Sequence, residues 1–502
     1  MELKQKIQNF ENHYMKGEAY GYALALISYD GETEGPAAAI EERSKAIGIL
    51  SMEAFKHNRS PEYEKIIADL EASKKDLDKI WQRIVYLARK NIDDAKKIPP
   101  EEQRAFAELT TKAQHVWKEA KQKSDFKIFQ PYLEKVVEFN RKFAKYLGPI
   151  DGKLYNRLLD NYEEGIKIED LDKFFATLRA RIVPLVKKIQ ASKVKIKDDF
   201  LFKKIPHDQQ MEFGKELAAI LGYNLKNGMI KETEHPFMNS ISKNDVRFTT
   251  HIYENDFTNS MFSVAHEAGH AIYEQNIAED LRGGPIGGGA SMAFHESQSR
   301  FHENIIGRSE EFVSVLFPLL KKKFPTQLKG VTAKDFYLAI NKVQPSFIRI
   351  EADELTYSLH IMVRYEIEKQ LIAGEIEVKD LPKVWNQKYK EYLGITPPND
   401  AKGVLQDVHW SFGGIGYFFS YALGNAYSAQ LLHAMKKDLN VTKAFKSLDL
   451  KPVRKWMYDH LYKYGRLLPP KELIKKATGE ALNPNYYCDY LEEKFSKIYK
   501  IK

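Results

Sequence analysis

Apolar residues recur at helical spacing through most of the chain. Between residues 63 and 95 they return every three or four positions, which is the spacing of one face of an amphipathic helix. Pro99 and Pro100 end this stretch, because proline suits the first turn of a helix and not its interior. The same periodicity covers 169–191 and 208–221. The pattern therefore predicts a helical layer for the N-terminal part of the chain.

A short segment departs from this spacing. From Asp245 to Tyr253 apolar and polar residues alternate, which is typical of a half-buried strand. Helical patterns resume near Asn259, and they return near Met292 after the glycine-rich segment 283–289. We therefore expect a mostly α fold with one small β-sheet. No fixed-period repeat or low-complexity linker divides residues 1–502, so we expect a single domain, built either as one body or as two helical lobes beside a groove.

The composition excludes several classes of protein. Hydrophobic residues make up 43% and aromatic residues 12% of the 502 positions, which is enough for a large core. The 77 basic and 69 acidic residues are interleaved, so no basic block predicts nucleic-acid binding. No apolar window is long enough for a membrane span, and the charged N-terminus does not resemble an export signal. Together with the single cysteine, Cys488, these features predict a cytoplasmic protein.

The segment HEAGH, residues 266–270, carries the strongest chemical signal. On a helix, His266 and His270 lie one turn apart on the same face, where both imidazoles can bind one metal ion. Glu267 stands beside the first histidine, so its carboxylate can take a proton from an attacking water molecule. The alternative is a chance match on an amphipathic helix. The motif alone leaves a metal-dependent hydrolase and an ordinary surface helix both open.

A third metal ligand is needed, because catalytic zinc sites use three protein ligands and keep a fourth position open. Glu296, in the segment HESQSR, is the preferred candidate, since a ligand from a second helix closes a tetrahedral site. Glu274 and Glu303 are the alternatives. Two imidazoles and one carboxylate accept zinc, cobalt or manganese, and zinc is the expected ion.

Several short motifs follow one another in an order that resembles the carboxypeptidase Taq family of metallocarboxypeptidases. The resemblance spans most of the chain. Its motifs are YDGET at 29–33 with Arg43, HPF at 235–237, DVRFT at 245–249, HEAGH at 266–270, HESQSR at 295–300, IRIEAD at 348–353, and GVLQDVHW at 403–410 continuing into GYF at 416–418.

This resemblance implies a metal-dependent carboxypeptidase that removes single amino acids from the C-termini of peptides. It also implies a neurolysin-like helical architecture with a deep substrate groove, and a homodimer. His266, His270 and Glu296 match the metal ligands of the family, and Glu267 matches its general base. Tyr29 stands where the family commonly has tryptophan, and this departure bears on substrate preference.

Arg349 is the first candidate to bind the C-terminal carboxylate of a substrate. A guanidinium group offers the two parallel hydrogen bonds that a carboxylate accepts and that an ammonium group cannot match. The resemblance places Arg349 with His235 and Phe237 at the closed end of the groove. Arg247 is the alternative carboxylate-binding residue, and an ion pair with Asp353 one helical turn away is the structural alternative for Arg349.

The stretch 403–417 offers groups that can act on the substrate carbonyl. Attack on a peptide carbonyl creates an oxyanion, which needs a hydrogen-bond donor. By similarity to helical zinc peptidases, Tyr417 donates to this oxyanion and His409 positions the substrate backbone. The alternative for Tyr417 is an ordinary aromatic residue of the core. Asp407 is a candidate to orient His409 or an imidazole of the metal site.

The expected partners are therefore peptides with a free C-terminus. An oligopeptidase that cuts internal bonds shares the same metal chemistry and is the nearest alternative. A non-catalytic peptide-binding scaffold with a structural metal is disfavoured, because a structural site needs no general base such as Glu267.

Overall fold

Helices form most of the computed structural model, which describes residues 2–501. The helices that precede the sheet are α1 (Leu3–Thr33), α2 (Ile40–Asn58), α3 (Pro61–Glu71), α4 (Lys79–Lys97), α5 (Pro100–Lys123), α6 (Phe126–Leu147), α7 (Leu154–Asp160), α8 (Ile168–Gln190) and α9 (His207–Leu221). Pro100 is the first residue of α5, as the proline pair predicts. The stretch predicted as one helix over 63–95 is divided between α3 and α4. α3 ends at Glu71, and α4 begins after Asp78, whose side chain caps it by accepting a hydrogen bond from the backbone N–H of Trp81.

Helices also fill the chain after the sheet. They are α10 (Phe257–Gln275), α11 (Met292–Arg300), α12 (Glu310–Lys323), α13 (Ala333–Ile340), α14 (Tyr357–Ala373), α15 (Leu381–Leu393), α16 (Phe419–Asp438), α17 (Val441–Phe445), α18 (Lys451–His460), α19 (Pro470–Thr478) and α20 (Asn485–Tyr499). The side chains of Asp256 and Ser291 cap α10 and α11. A π-helical turn, Phe301–Ile306, continues α11, and a 3-10 turn, His409–Phe412, precedes α16.

The small sheet has three strands, β1 (Ile230–Glu232), β2 (Met238–Ser242) and β3 (Asp245–Thr250). β3 is the central strand and pairs in parallel with β1 and antiparallel with β2. Val246 and Phe248 are fully buried, as the alternation predicts for one face of this strand. The strand predicted over 245–253 ends three residues earlier, at Thr250.

The sheet and two helices surround α10. β2 and β3 pack against α10 together with α9 and α11, and α11 packs in turn against α16. Small side chains such as Ala268 and Ala271 are fully buried and let these elements approach closely. The predicted fold class, mostly α with one small sheet, is confirmed. Within residues 2–501, the helices lack a stretch apolar and long enough to cross a bilayer.

Candidate metal centre and substrate site

α10 carries the HEAGH motif through the interior of the fold. The rings of His266 and His270 lie on one face of the helix, with their centroids 5.1 Å apart. Both imidazoles are half-buried, and the Glu267 residue between them in sequence is 8% exposed. Burial raises the pKa of Glu267 to about 7. The carboxyl group of Glu267 is therefore buried on the same helix as the two imidazoles.

Glu296 reaches these two histidines from α11. Its Oε2 atom lies 3.5 Å from Nε2 of His266 and 3.7 Å from Nε2 of His270. Donor atoms that share one zinc ion at about 2.0–2.2 Å in a tetrahedron lie roughly 3.3–3.6 Å apart. In residues 2–501, the group that could hold a metal ion consists of these three residues, with all ligand atoms within 4.8 Å of one another. The spacing and chemistry of this donor set fit a divalent metal.

Two glycines allow the helices to cross closely enough for this arrangement. A Cβ atom added to Gly269 would lie 2.4 Å from the backbone oxygen of Gln298, so α10 meets the backbone of α11 at this point. A Cβ atom added to Gly424 of α16 would lie 2.6 Å from Cγ of Glu296. Glycine at both positions therefore lets α11 sit between α10 and α16 with Glu296 beside the histidines.

Glu303, one of the alternative ligands, contacts the other side of the His266 ring. Its Oε2 atom lies 2.8 Å from Nδ1 of His266. Burial raises the pKa of Glu303, but the guanidinium of Arg300 and the hydrogen bond with His266 hold it well below its ordinary value. A carboxylate on Nδ1 leaves the Nε2 lone pair free for a metal.

Glu274, the other alternative metal ligand, is linked to His270 through His295. Nε2 of His295 lies 2.8 Å from Oε1 of Glu274, and Nδ1 of His295 lies 3.3 Å from Nδ1 of His270. The glycine-rich segment closes around this pair, because the backbone N–H of Gly289 also donates to Oε1 of Glu274, at 2.8 Å. Thus both alternative carboxylates support the histidines from the side that faces away from Glu296.

Arg300 links the carboxylates around the centre. Its Nε atom donates to Oε1 of Glu296 at 2.6 Å, and its Nη1 atom donates to Oε2 of Glu303 at 3.1 Å. The guanidinium lies over the ring of Tyr357, 4.2 Å from the ring centroid. It therefore balances part of the negative charge that two glutamates bring to the histidine pair.

Arg349 is buried and held from several sides. Its Nε atom lies 2.9 Å from Oδ1 of Asp407, and its Nη1 atom donates to the hydroxyl of Tyr357 at 3.1 Å. Its guanidinium lies 5.0 Å from the ring centroid of Tyr421. The alternative ion pair with Asp353 is not formed, because Asp353 accepts hydrogen bonds from backbone N–H groups just before α14.

Asp407 binds two arginines and not a histidine. Oδ1 accepts from Arg349, and Oδ2 accepts from Nε of Arg364 at 2.7 Å. Burial raises the pKa of Asp407, but the two guanidinium groups hold it well below its ordinary value. The expectation that Asp407 orients His409 or a metal-site imidazole by a hydrogen bond is wrong, since both of its oxygens serve guanidinium groups.

His409 and Tyr417 lie side by side near Arg349. Their ring centroids are 5.5 Å apart, and Nε2 of His409 lies 3.2 Å from the hydroxyl of Tyr421. Burial lowers the pKa of His409 to about 4, so its imidazole is neutral at neutral pH. Burial raises the pKa of Tyr417 to about 12, so its hydroxyl keeps a proton that it can donate.

His235 and Phe237 lie on the turn between β1 and β2. His235 is exposed, and the ring of Phe237 meets the edge of Tyr29 at a centroid distance of 6.0 Å. Among residues 2–501, no hydrogen bond, ion pair or ring contact joins either residue to Arg349. Arg247 lies on the neighbouring β3 and pairs with Asp245 of the same strand at 2.6 Å.

Comparison with known proteins agrees with this architecture. A sequence profile of the carboxypeptidase Taq (M32) metallopeptidases matches residues 9–495. The chain belongs to the carboxypeptidase Taq (M32) family. It is 43% identical to carboxypeptidase 1 of Bacillus subtilis (strain 168) over 500 residues, which cover 99% of this chain and 100% of that protein. It is also 36% identical over 485 residues to thermostable carboxypeptidase 1 of Pyrococcus furiosus, covering 96% of this chain and 97% of that protein.

The M32 fold is equally clear from solved structures. The M32 carboxypeptidase from Deinococcus radiodurans R1 superimposes with a TM-score of 0.95 at 36% identity, covering 99% of this chain and 100% of that one. The predicted family and enzyme class are thereby confirmed. The chain is a metallocarboxypeptidase that acts on peptides and requires a divalent metal.

The residues of α14 that contact the candidate substrate-binding residues were missed by the sequence analysis. Arg364 is fully buried and donates to both Asp407 and Gln406, yet its sequence context resembles an ordinary charged helix position. Glu368 is fully buried as well. The sequence did contain a signal for buried charges at these positions, because Arg364 and Glu368 stand in a helix whose other positions are mostly apolar. Buried charges require partners, so their partners could have been sought.

Proposed function

We propose that this metallocarboxypeptidase removes single amino acids by attack of an activated water molecule, with Glu267 as general base. The arrangement that carries the proposal is the group of His266, His270 and Glu296, whose donor atoms have the spacing of a shared metal, with the buried Glu267 beside it. When bound, a divalent metal supplies Lewis acidity to the scissile carbonyl and to the attacking water. Glu267 takes the proton of that water and returns it to the leaving amine.

Recognition of the substrate end is assigned to Arg349. Arg349 and Arg364 share the single negative charge of Asp407, so the three groups keep a net charge of +1. A buried net positive charge suits the terminal carboxylate of a peptide, and the planar guanidinium can bind it with two hydrogen bonds. His235 and Phe237, from the turn between β1 and β2, form the closed end of the groove in this proposal.

Two neighbouring groups act on the substrate backbone. Tyr417 keeps its proton at neutral pH and donates it as a hydrogen bond to the oxyanion. His409 positions the substrate backbone with its neutral imidazole. Nδ1 of His409 supports this role, because it is buried and has no hydrogen-bond partner within residues 2–501.

The general-base role is tested with Glu267→Gln, which keeps the shape of the side chain and removes its basicity. We expect the variant to retain one metal ion per chain by elemental analysis and to lose about 10²–10⁴-fold in kcat. Glu119→Gln, on the exposed surface of α5, is the matched control and should keep full activity. Turnover near that of the unaltered enzyme, with metal content verified, would exclude Glu267 as the base.

The remaining properties are also proposals. Zinc is the proposed ion because two imidazoles and one carboxylate form a common catalytic zinc site, although cobalt and manganese bind the same ligands. The family resemblance supports a homodimer, and one continuous hydrophobic cluster from Phe10 to Tyr499 supports a single peptidase domain. The single cysteine supports a cytoplasmic location. Elemental analysis tests the identity of the ion, sedimentation equilibrium tests the homodimer, and cell fractionation tests the location.

A further inference from the structure

One face of α14 is polar and buried, and it lies against the segment that carries His409 and Tyr417. Residues three or four positions apart share a helix face. The polar residues of this face are 5% exposed or less, and they are Tyr357, His360, Arg364 and Glu368. Buried polar groups of this kind form hydrogen bonds with specific partners. The partners of this face include Arg349, residues of the segment 403–418, Tyr155 of α7 and Tyr389 of α15.

Glu368 is the member of this face that bonds to the catalytic segment, the stretch 409–417 that carries His409 and Tyr417. Its Oε1 atom accepts a hydrogen bond from Nε1 of Trp410 at 2.8 Å. Its Oε2 atom accepts from the backbone N–H of Gly416 at 2.9 Å and from the hydroxyl of Tyr155 at 2.8 Å. Three donors thus converge on the two oxygens of one carboxylate that is 0% exposed.

Two of these donors are direct neighbours of proposed catalytic groups. Trp410 follows His409, and Gly416 precedes Tyr417. We propose that Glu368 is a positioning residue, which fixes both side chains by holding the indole of Trp410 and the backbone of Gly416 at the two ends of the turn between them. The inference rests on the proposed function, because it gives Glu368 a role only through those two residues.

The backbone conformation at Gly416 explains why its hydrogen bond to Glu368 fixes the neighbouring residues. Gly416 has a φ of 87°, and an added Cβ atom would lie 3.1 Å from the backbone carbon of Leu158. The residue is therefore in the left-handed region, packed against α7, and its N–H points at Glu368. A carboxylate accepts hydrogen bonds only, which suits three donors. A glutamine there would turn an N–H₂ group toward one of those donors and break that link.

A double-mutant cycle tests the role. We expect Glu368→Gln to keep its metal content and its KM within threefold, and to lower kcat by at least about tenfold. In the background of Tyr417→Phe combined with His409→Ala, the same substitution should lower kcat by less than twofold, because Glu368 acts through these residues. An equal loss in both backgrounds would overturn the inference and leave Glu368 a purely structural residue.

Tyr155→Phe is the matched control. It removes the third donor to Glu368 from α7 and leaves both links to the catalytic segment, so kcat should stay within twofold. If Tyr155→Phe loses as much as Glu368→Gln, the carboxylate supports general packing and the inference fails. If Glu368→Gln does not accumulate as folded protein, Glu368→Asp, which retains a carboxylate on a shorter side chain, goes through the same cycle with the same criteria.

Failure of the proposed function gives experimental results that differ from those of a failed inference about Glu368. If Tyr417→Phe and His409→Ala each retain full kcat, the roles proposed for these two residues are wrong, whatever Glu368→Gln does. If those variants lose activity and the Glu368→Gln effect remains additive with theirs, only the inference about Glu368 is wrong.

Discussion

Glu303 holds His266 by the ring nitrogen that faces away from Glu296. Oε2 of Glu303 lies 2.8 Å from Nδ1 of His266, while Nε2 of the same ring lies 3.5 Å from Glu296. Arg300 and Arg308 flank the Glu303 carboxylate, at 3.1 Å and 3.5 Å. The imidazole is thereby fixed in one orientation, with its metal-binding nitrogen turned toward the other proposed ligands.

Glu303→Gln should weaken metal binding while leaving the proposed ligands in place. Loss of such a support typically costs about 10–100-fold in metal affinity. Competition against a chromogenic chelator measures that affinity directly. Glu310→Gln, which alters a surface ion pair with Lys497, should bind metal like the unaltered enzyme. Unchanged affinity in Glu303→Gln would show that Glu303 does not support the metal site.

Gly424→Ala should displace the third proposed ligand without altering its chemistry. The added Cβ atom would lie 2.6 Å from Cγ of Glu296 and 3.0 Å from its backbone carbon, so α11 must shift. We expect at least about a tenfold loss of metal affinity and a lower Tm. Gly48→Ala on α2 is the control, because nothing lies within 4 Å of its added Cβ atom. It should raise stability by up to about 1 kcal/mol. Equal metal affinity in both variants would contradict the close packing of α16 on Glu296.

Arg349→Lys should impair recognition of the substrate carboxylate. Lysine keeps the charge but loses the planar pair of donors, so kcat/KM on peptides with a free C-terminus should fall about 10–100-fold. Arg247→Lys should lose less than threefold, because Arg247 pairs with Asp245 and lies over the ring of Tyr29. Initial rates for both variants decide between the two arginines. A larger loss in Arg247→Lys would transfer the role to Arg247.

Glu163 should make stability depend on pH. Its carboxyl is fully buried, accepts a hydrogen bond from the hydroxyl of Tyr427, and has its pKa raised by burial to about 7 from an ordinary 4.5. Between these values the folded state holds a proton that the unfolded state releases. The stability contributed by this group is therefore complete at low pH and is lost as the pH rises to about 7, by up to roughly 3 kcal/mol.

Glu163→Gln removes this titration, so the variant should gain Tm relative to the unaltered protein between pH 5 and pH 8. Calorimetry at the two pH values measures the change. The same shift in Tm for both proteins would mean that Glu163 does not titrate in this range.

The sequence was sufficient for the fold class and for the geometry of the histidine pair. A spacing of four residues puts His266 and His270 on one helix face wherever that helix lies, and α10 has this geometry. Alternation between residues 245 and 253 indicated the central strand in the same way, because one face of β3 is buried. These features depend on local periodicity, which is visible in a single chain.

Features that depend on contacts distant in sequence could not be predicted. Glu303 and Glu274 have the spacing and charge of ligands, and only the crossing of α10 and α11 places them behind the histidines. Asp407 is two residues from His409 in sequence, yet it accepts a hydrogen bond from Arg364, which lies 43 positions away. The carboxylate of Glu354 likewise pairs with Lys494, 140 positions away, in a buried ion pair.

Metal-dependent removal of single residues from the C-terminal end of a peptide can be measured in one experiment. One peptide, prepared with a free and with an amidated C-terminus, is incubated with the enzyme, with a chelator, and with metal added back, and the products are read by mass spectrometry. We expect a ladder of one-residue losses from the free peptide alone, abolished by the chelator and restored by metal. Internal fragments, or equal cleavage of the amidated peptide, would contradict it and indicate an oligopeptidase.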